Sequence, residues 1–375
     1  MIKRTLQEII EGKLFKGKAI IIIGARQVGK STLMRQIVNV LDKPTLYLDC
    51  DDPEIKRTLA DANIQELRSI AGANKVFVID EAQLVPHIGT TLKLIIDNIT
   101  DVQLIVSGSS AFELLNKLNE PLTGRKFEYH IYPISTEELY ENKGLLYIRQ
   151  TLEQRLIYGS YPDIINHTDD AKDLLMNIAE SYLYKDLLMV DSIRKPVVIE
   201  KLLIALSLQV CSEVSYNELA QTVGTDSKTV EKYIDLLEKC FVIFRLNAFS
   251  RNLRTELKKS KKIYFYDNGI RNALIKNFSP LSLRQDVGAL WENFFISERI
   301  KYNHYHRNFA NYYFWRTTQQ QEIDFIEESD GLFTAFEMKW NPKKHNLSLP
   351  KPFIETYPIK EAAIITPDNY LDWVK

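Results

Sequence analysis

The feature that most constrains this chain is the run from Gly24 to Ser31, which reads Gly-Ala-Arg-Gln-Val-Gly-Lys-Ser. It matches G-x-x-x-x-G-K-[S/T], the pattern of a loop that wraps around phosphate groups. The apolar run Ala19–Ile23 predicts a strand before the loop, and the residues from Thr32 to about Leu41 predict a helix after it. Because the motif requires this order of strand, loop and helix, a chance glycine turn is the weaker alternative.

The residue types in this loop suit a nucleoside triphosphate. Glycines let backbone N–H groups surround the phosphates, and the start of the next helix adds positive partial charge. Lys30 is expected to reach the β- and γ-phosphates, and the Ser31 hydroxyl to hold Mg²⁺. The sequence therefore predicts ATP and Mg²⁺ as cofactors. The predicted binding residues are Gly24, Ala25, Arg26, Gln27, Val28, Gly29, Lys30, Ser31 and Thr32.

Two carboxylates follow another signal for a buried strand. Val76–Ile79 predicts a strand that presents Asp80 and Glu81 at its carboxyl end. Asp80 is predicted to bind Mg²⁺ together with Ser31, and Glu81 to orient the water that attacks ATP. The alternative for Glu81 is a solvated carboxylate at the end of a strand.

Two further elements are candidates for the same site. The strand Leu104–Val106 leads into small hydroxyl residues, so Ser107, Ser109 or Ser110 is a candidate contact for the γ-phosphate or the water. A helix N-cap is an equally good interpretation of these serines. Arg125 follows a Leu-Thr-Gly turn and is a candidate arginine finger for the nucleotide of a neighbouring copy in a homo-oligomer. An ordinary surface arginine is the equal alternative.

Composition narrows the class of protein. At about 150 residues per domain, 375 residues predict two to three domains. Lys and Arg total 48 and Asp and Glu total 49, so any contact with nucleic acid has to come from a local basic patch. Cys50, Cys211 and Cys240 have neither disulfide nor zinc spacing. With no secretory leader and no run of about 18 apolar residues, the sequence predicts a cytoplasmic protein with no membrane partner.

Changes of pattern predict an α/β chain with three regions. Residues 1–145 alternate buried strand signals with helices and predict a P-loop ATPase domain built on a parallel sheet. Residues 146–260 predict a helical lid and a winged helix. Residues 261–375 return to mixed signals with aromatic strands and predict a small α/β domain.

A winged helix is predicted from about Pro196 to Leu246. Ser215 and Glu218 form the pattern of a capping box that starts its middle helix, and Gly224 ends that helix. The tight turn before the next helix is typical of a helix-turn-helix. One apolar face of that next helix is predicted to hold Val230, Ile234, Leu237 and Phe241.

A basic segment overlaps the end of this region. From Arg245 to Lys262, seven basic residues stand against Glu256 alone, which gives a net charge of +6. Such a wing or arm is a candidate grip for DNA phosphates. The preceding helix carries Lys228 and Lys232 but also Glu231, Asp235 and Glu238. Because these acids repel DNA, a lid or a protein contact is the equal alternative. The basic residues are Arg245, Arg251, Arg254, Lys258, Lys259, Lys261 and Lys262.

The last region contains a pattern typical of metal-dependent nucleases. Asp324 lies in one strand signal, and Glu337 and Lys339 lie two apart in the next, after the hairpin signal Ser329-Asp330-Gly331. Two carboxylates can hold Mg²⁺, which activates water, and the lysine can assist its deprotonation. Glu292, on a predicted helix from Gly288 to Ile300, is a further candidate ligand. The alternative is an exposed stripe of ion pairs on an antiparallel sheet.

Together these motifs resemble known families. The order of phosphate loop (Walker A), Asp-Glu strand end (Walker B), serine strand and Leu-Thr-Gly-Arg resembles the AAA+ ATPases, although this chain has Ser where Asn is usual. The whole chain looks like a bacterial and archaeal group in which an AAA+ domain precedes a domain of unknown function. Asp324 with Glu337-x-Lys339 resembles the PD-(D/E)XK nuclease superfamily. Segments that look like those of this bacterial and archaeal group begin at Tyr158, Ser181, Ser215 and Tyr264.

The sequence thus predicts an ATP-binding and ATP-hydrolysing protein that acts on nucleic acid. In one alternative, ATP is a ligand that switches conformation or oligomeric state, and the winged helix regulates transcription or binds a partner. In another, the nuclease-like domain is an inactive scaffold. A preformed carboxylate site that binds Mn²⁺ separates the nuclease from the scaffold.

Overall fold

The computed structural model describes residues 2–108, 122–188 (backbone alone from 181), 195–249, 261–317, 319, 321–341 and 349–375. The chain forms two compact units. The first comprises Met1–Ile134 with Lys239–Phe241, and the second comprises Ser135–Glu238 with Val242–Lys375. The boundaries differ from those predicted at 145/146 and 260/261. Most of the predicted second and third regions lie together in the second unit.

The first unit is built on a parallel sheet. Its strands are β1 (Ala19–Ile23), β2 (Thr45–Asp49), β3 (Val76–Asp80), β4 (Gln103–Gly108) and β5 (Lys126–His130). They are ordered β2-β3-β4-β1-β5, and every neighbouring pair is parallel. All residues of β1, β3 and β4 are buried, as expected for parallel strands without a solvent face. The strands predicted at Ala19–Ile23, Val76–Ile79 and Leu104–Val106 are therefore present, with ends within two residues of the predictions.

Helices connect these strands. They are α1 (Thr5–Glu11), α2 (Lys30–Leu41), α3 (Pro53–Ala60), α4 (Ile64–Ala71) and α5 (Ile88–Asn98), with a short 3₁₀ turn at Ala82–Leu84. Their starts follow from local chemistry. Asp52 caps α3, where Pro53 occupies the first turn, and Asn63 and Glu66 form a capping box for α4.

The second unit contains the other helices and strands of the described ranges. Its helices are α6 (Thr136–Gln150), α7 (Leu152–Tyr158), α8 (Pro162–Asn166), α9 (Ala171–Leu188), α10 (Pro196–Leu208), α11 (Tyr216–Val223), α12 (Ser227–Lys239), α13 (Asn268–Leu274), α14 (Val287–Tyr305), α15 (Lys351–Thr356) and α16 (Leu371–Val374). Its strands are β6 (Glu213–Val214), β7 (Ile243–Ala248), β8 (Lys261–Phe265), β9 (Asn311–Arg316), β10 (Glu322–Ser329), β11 (Leu332–Met338) and β12 (Ile359–Ile365). Two further 3₁₀ turns lie at Thr168–Asp170 and Leu281–Leu283.

One seven-stranded sheet, in the order β12-β11-β10-β9-β7-β8-β6, runs through the second unit. Strands β9, β10 and β11 are antiparallel, and β12 is parallel to β11. The hairpin predicted at Ser329 is present, and positive φ angles at Asp330 and Gly331 give it a tight turn. Asn247 pairs with Tyr313 in parallel. This pairing joins β7, from the predicted second region, to β9, from the predicted third region.

The segment predicted to form a helix-turn-helix follows most of its sequence signals. The Ser215 side chain accepts a hydrogen bond from the backbone N of Glu218 at 3.4 Å, and Gly224 ends α11 with φ +75°. Val230, Ile234 and Leu237 are buried on α12. Phe241, however, lies beyond Lys239, the last residue of α12, so the prediction that it extends this helical face is wrong.

The fold class is as predicted at its coarse level, namely a mixed α/β chain in which a five-stranded parallel sheet precedes a helical region. Within the described ranges, no helix is both long enough and apolar enough to pass through a bilayer.

Candidate functional sites

The phosphate loop has the local geometry that its glycines predict. A Cβ atom at Gly24 would lie 2.1 Å from the carbonyl oxygen of Ile131, so any side chain there would clash with backbone. Gly29 has φ +95° immediately before α2 begins at Lys30. Both positions therefore require glycine. Ser31 and Thr32 lie in the first turn of α2, where the helix has its positive end.

The Lys30 ammonium is held over this loop. Its Nζ donates hydrogen bonds to the carbonyl oxygens of Gly24 at 3.1 Å and Ala25 at 2.9 Å, and the residue is only 4% exposed. Arg4, which the sequence does not single out, donates to the Val28 carbonyl at 2.7 Å. The loop is thus braced by two cations, one from its own helix and one from the residue before α1.

Asp80 is fixed at the end of β3 by three donors. Its Oδ1 accepts hydrogen bonds from the Ser107 hydroxyl and from the backbone N of Glu81, and its Oδ2 accepts one from the Tyr47 hydroxyl at 2.5 Å. Burial of the Tyr47 phenol raises its pKa, and the hydrogen bond to the Asp80 carboxylate and the charge of that carboxylate raise it further. The phenol therefore stays protonated as a donor. Ser107 therefore positions Asp80. Ser109 and Ser110 lie outside the described residues.

Glu81 brings a second carboxylate to the loop. Its φ of +51° turns the chain sharply after β3. One carboxylate oxygen, Oε1, lies 3.9 Å from Lys30 Nζ, and the other accepts a hydrogen bond from Gln83 Nε2 at 2.5 Å. The Asp80 carboxylate and the Ser31 hydroxyl are the oxygen ligands that Mg²⁺ prefers, so the chemistry of these residues fits the predicted ion. Glu81, beside Lys30, is suited to orient water.

Arg125 has a different partner from the one predicted. It precedes β5, and its Nε donates to Asp97 Oδ1 of α5 at 2.7 Å. The side chain is 40% exposed, so the ion pair is accessible at the surface of the first unit. A role toward a neighbouring copy stays a prediction.

The second unit brings together the four residues predicted for a nuclease site. The backbone N of Met338, on β11, donates to Asp324 Oδ2 at 3.0 Å, which places this carboxylate beside the end of β11. Lys339 Nζ lies 2.6 Å from Glu337 Oε1, so the two side chains share one face as the strand period predicts. Glu292, on α14, accepts a hydrogen bond from the Tyr264 hydroxyl at 2.7 Å. Burial lowers the pKa of Lys339, but the hydrogen bond and charge of Glu337, with smaller effects of the Asp324 and Glu292 charges, raise it overall.

A fifth charged residue of this cluster is Lys262, which the sequence places among residues that grip DNA. It is 4% exposed and lies 2.5 Å from Glu322 Oε1 and 3.5 Å from Glu292 Oε1. The prediction that Lys262 contacts phosphate is therefore wrong, because its ammonium is buried and paired. Arg245 is likewise paired, with Asp235 at 2.7 Å and with Glu238.

The two buried carboxyls have altered acidity. Burial raises the pKa of Glu292 to about 7, and the charge of Lys262 only partly opposes this. Burial also raises the pKa of Asp324 to about 6, with the Glu337 charge acting in the same direction. Among the described residues, no group of three His, Cys, Asp or Glu side chains is close enough to hold one metal ion.

All three cysteines are buried thiols.

The raised pKa of Glu292 predicts a pH-dependent stability. The folded state holds the Glu292 proton more tightly than the unfolded chain, so the free energy of unfolding falls as pH rises from about 4.5 to about 7. Glu292→Gln removes this decline, and the wild type should lose about 3 kcal/mol relative to the variant over that interval. Urea unfolding at pH 4.5 and 7.5 measures it. Parallel pH profiles for the two proteins would contradict the assignment.

Three segments of the chain match known family models. Residues 16–140 match the family model of an AAA domain. This match supports an AAA+ P-loop ATPase that binds and hydrolyses ATP, over the region that holds Lys30, Asp80 and Glu81. Residues 149–281 and 287–373 match two domains of unknown function, DUF8612 and DUF4143.

Several relatives span most of the chain. An uncharacterized protein of Mycobacterium tuberculosis (strain H37Rv) is 25% identical over 335 residues, which are 87% of this chain and 71% of that protein. An uncharacterized protein of Methanocaldococcus jannaschii is 23% identical over 369 residues, which are 92% of this chain and 80% of the relative. This chain is thus similar over most of its length to proteins of a bacterium and an archaeon.

Similar solved structures are more distant. The Thermotoga maritima RuvB Holliday junction branch migration motor is 15% identical and covers 65% of this chain and 90% of its own, with a TM-score of 0.34. A signal transduction ATPase with numerous domains from Pyrococcus horikoshii is 12% identical and covers 82% of this chain and 48% of its own, with a TM-score of 0.28. Scores this low carry no argument about this chain.

Proposed function

We propose that this protein is a Mg²⁺-dependent ATPase whose turnover is coupled to nucleic acid. ATP hydrolysis is supported by the placement of the Glu81 carboxylate 3.9 Å from Lys30 Nζ. Asp80 lies next to it in the chain and is held in place by three donors. A binding loop alone needs no second carboxylate at this point. Hydrolysis does, because a water has to be oriented for attack on the γ-phosphate.

The chain's own residues divide the work of hydrolysis. Glu81 orients and polarises the attacking water, and Lys30 stabilises the negative charge that develops on the phosphate oxygens. Asp80 and the Ser31 hydroxyl would hold Mg²⁺, with Ser107 and Tyr47 fixing the orientation of Asp80. When bound, Mg²⁺ neutralises charge on the β- and γ-phosphates.

The second unit supports the nucleic-acid part of this proposal. The order α10, β6, α11, α12, β7, β8 is the order of a winged helix, with α11 and α12 as its helix-turn-helix. Asp235 and Glu238, which would repel DNA, pair with Arg245 instead. This pairing reduces the acidic charge of α12, which also carries Lys228, Lys232 and Glu231. A lid or a protein-binding role remains the alternative for this module.

A nuclease-like domain is the second candidate in this unit. The order α14, β9, β10, β11, α15, β12 places one helix before three antiparallel strands and a helix before a last, parallel strand. Asp324 and the pair of Glu337 and Lys339 lie near one another where β10 runs beside β11, and this proximity supports the nuclease-like candidate. Such a domain needs a bound metal ion to cleave nucleic acid, because the ion activates the attacking water.

Steady-state ATP turnover tests the coupling. We expect duplex DNA, single-stranded DNA or RNA to raise turnover several-fold, because binding in the second unit favours the hydrolysing conformation of the first. The same assay on Lys228→Glu/Lys232→Glu should lose the stimulation and keep the basal rate. Tight ATP binding with no stimulation by any nucleic acid would contradict the coupling and favour a switch that responds to a protein partner.

Arg125 gives a separate prediction about assembly. If Arg125 acts on the nucleotide of a neighbouring copy, Arg125→Ala should lower turnover at least tenfold, because transition-state charge loses a donor. Asp97→Ala is the matched control, since it breaks the same ion pair but keeps the arginine. Equal turnover by Arg125→Ala and Asp97→Ala, at concentrations where the protein assembles, would exclude Arg125 as an arginine finger.

A further inference from the structure

Lys262 occupies a rigid position in the second unit. It lies on β8, a strand flanked by β7 and β6, and it pairs with Leu246 on one side and Glu213 on the other. Its side chain is almost fully buried. Because both flanking strands hold the backbone, Lys262 is a fixed part of the sheet and not the tip of a mobile wing.

The ammonium of Lys262 bridges the elements that supply the acidic cluster. It contacts Glu322 at the start of β10 and approaches Glu292 on α14, at the distances given above. Glu322 stands two residues before Asp324 on the same strand. The charge of Lys262 also opposes the raised pKa of Asp324. Three carboxylates from two elements therefore lie near the buried Lys262 ammonium, and Lys339 adds a second, partly exposed positive charge.

A buried ammonium needs such partners. Removing a charge from water costs several kcal/mol unless opposite charges and hydrogen bonds replace the lost hydration. The same requirement applies to the carboxylates, which would otherwise need a metal ion or a proton. The cluster is thus balanced by a side chain that the protein itself provides.

We propose that Lys262 is the resident cation of this site, and that its ammonium replaces the divalent ion that Glu292 and Asp324 would otherwise share. This inference rests on the nuclease-like arrangement proposed above and names the cation that occupies its site. The domain, as folded, holds no divalent ion at this position. It is therefore expected to show no metal-dependent cleavage of nucleic acid.

Mn²⁺ binding to the full chain tests this proposal, measured as the loss of the free-ion signal in electron paramagnetic resonance. Every protein carries Asp80→Asn and is studied without nucleotide, so that the first unit contributes little. Without further change, the protein should bind Mn²⁺ no better than its Asp324→Asn derivative. Lys262→Met should gain one ion per chain, and its affinity for Mn²⁺ should be at least tenfold tighter than that of the protein with native Lys262. Lys262→Met/Asp324→Asn should lose that ion, and Lys262→Arg should not gain it.

The outcomes separate this proposal from the nuclease-like site on which it rests. If the protein with native Lys262 already binds one Mn²⁺ that Asp324→Asn removes, the metal site stands and the role of Lys262 is overturned. If Lys262→Met folds but gains no ion, both are overturned. If Lys262→Met does not fold, Lys262→Met/Glu322→Gln removes one charge of each sign, and its gain or lack of an Asp324-dependent ion decides in the same way.

Discussion

Replacing Glu81 by glutamine is expected to lower ATP turnover by about 10²- to 10⁴-fold, the usual contribution of a positioned acid or base. The amide keeps the size of the carboxylate but cannot take up a proton. The loop and Asp80 are untouched by this change, and Lys30 keeps its hydrogen bonds to the Gly24 and Ala25 carbonyls, so the affinity for ATP should stay within a few-fold of the wild type. A fluorescent ATP analogue measures binding, and phosphate release measures turnover.

Gln83→Ala provides the matched control for this prediction. It removes the donor to Glu81 Oε2 but leaves the carboxylate in place, so turnover should fall only about tenfold, by the loss of one hydrogen bond to a charged group. Lys30→Ala, in contrast, should lose binding and turnover together. A Glu81→Gln protein that retains more than half of the wild-type rate would exclude Glu81 as the residue that activates water.

The second large effect is expected at Gly159, where two segments of the second unit meet. Gly159 follows α7 with φ +74° and ψ −159°, a conformation that is essentially restricted to glycine. A Cβ there would lie 1.9 Å from Asp267 Oδ1. Asp267 is buried, accepts a hydrogen bond from the backbone N of Ser160 at 2.7 Å and caps α13 through Ile270. The carboxylate therefore cannot move away without breaking these bonds.

Gly159→Ala should lower the free energy of unfolding of the second unit by about 2–6 kcal/mol. Backbone strain contributes about 1–3 kcal/mol, and the clash with Asp267 adds about 1–3 kcal/mol. The midpoint of urea unfolding, followed by circular dichroism, measures the loss. Gly144→Ala is the matched control, because Gly144 has φ +83° but open space around a Cβ. Equal losses at the two glycines would show that the contact with Asp267 adds nothing.

The sequence predicts the phosphate loop and its strands well because their signals are local. Apolar runs such as Ala19–Ile23 are bounded by charged or glycine residues, and the loop motif lies within eight positions. The partners of the site residues are a different matter. Tyr47 reaches Asp80 across 33 residues, and Arg4 reaches Tyr132 across 128. Such contacts depend on the order of strands in the sheet, which one sequence does not contain.

Lys262 illustrates a signal that was available but easily misjudged. A run of basic residues is usually solvated, so its members are predicted to be exposed. Strand alternation nevertheless places Lys262 on the same face as Tyr264, and both side chains contact Glu292. The start of α6, just after the first unit, has a local signal in the capping box of Ser135 and Glu138 but also depends on a distant contact. The backbone N of Thr136, at the start of α6, donates to Glu298 at 2.5 Å, and that contact spans 162 residues.

The central claim is that the site around Lys30 and Glu81 hydrolyses ATP. It is tested most directly by steady-state phosphate release from saturating Mg²⁺-ATP, with purified wild-type protein and Lys30→Ala as the blank. We expect turnover by the wild type, and none above background by Lys30→Ala. Wild-type protein that binds ATP yet releases phosphate no faster than Lys30→Ala, with or without nucleic acid, would contradict the account.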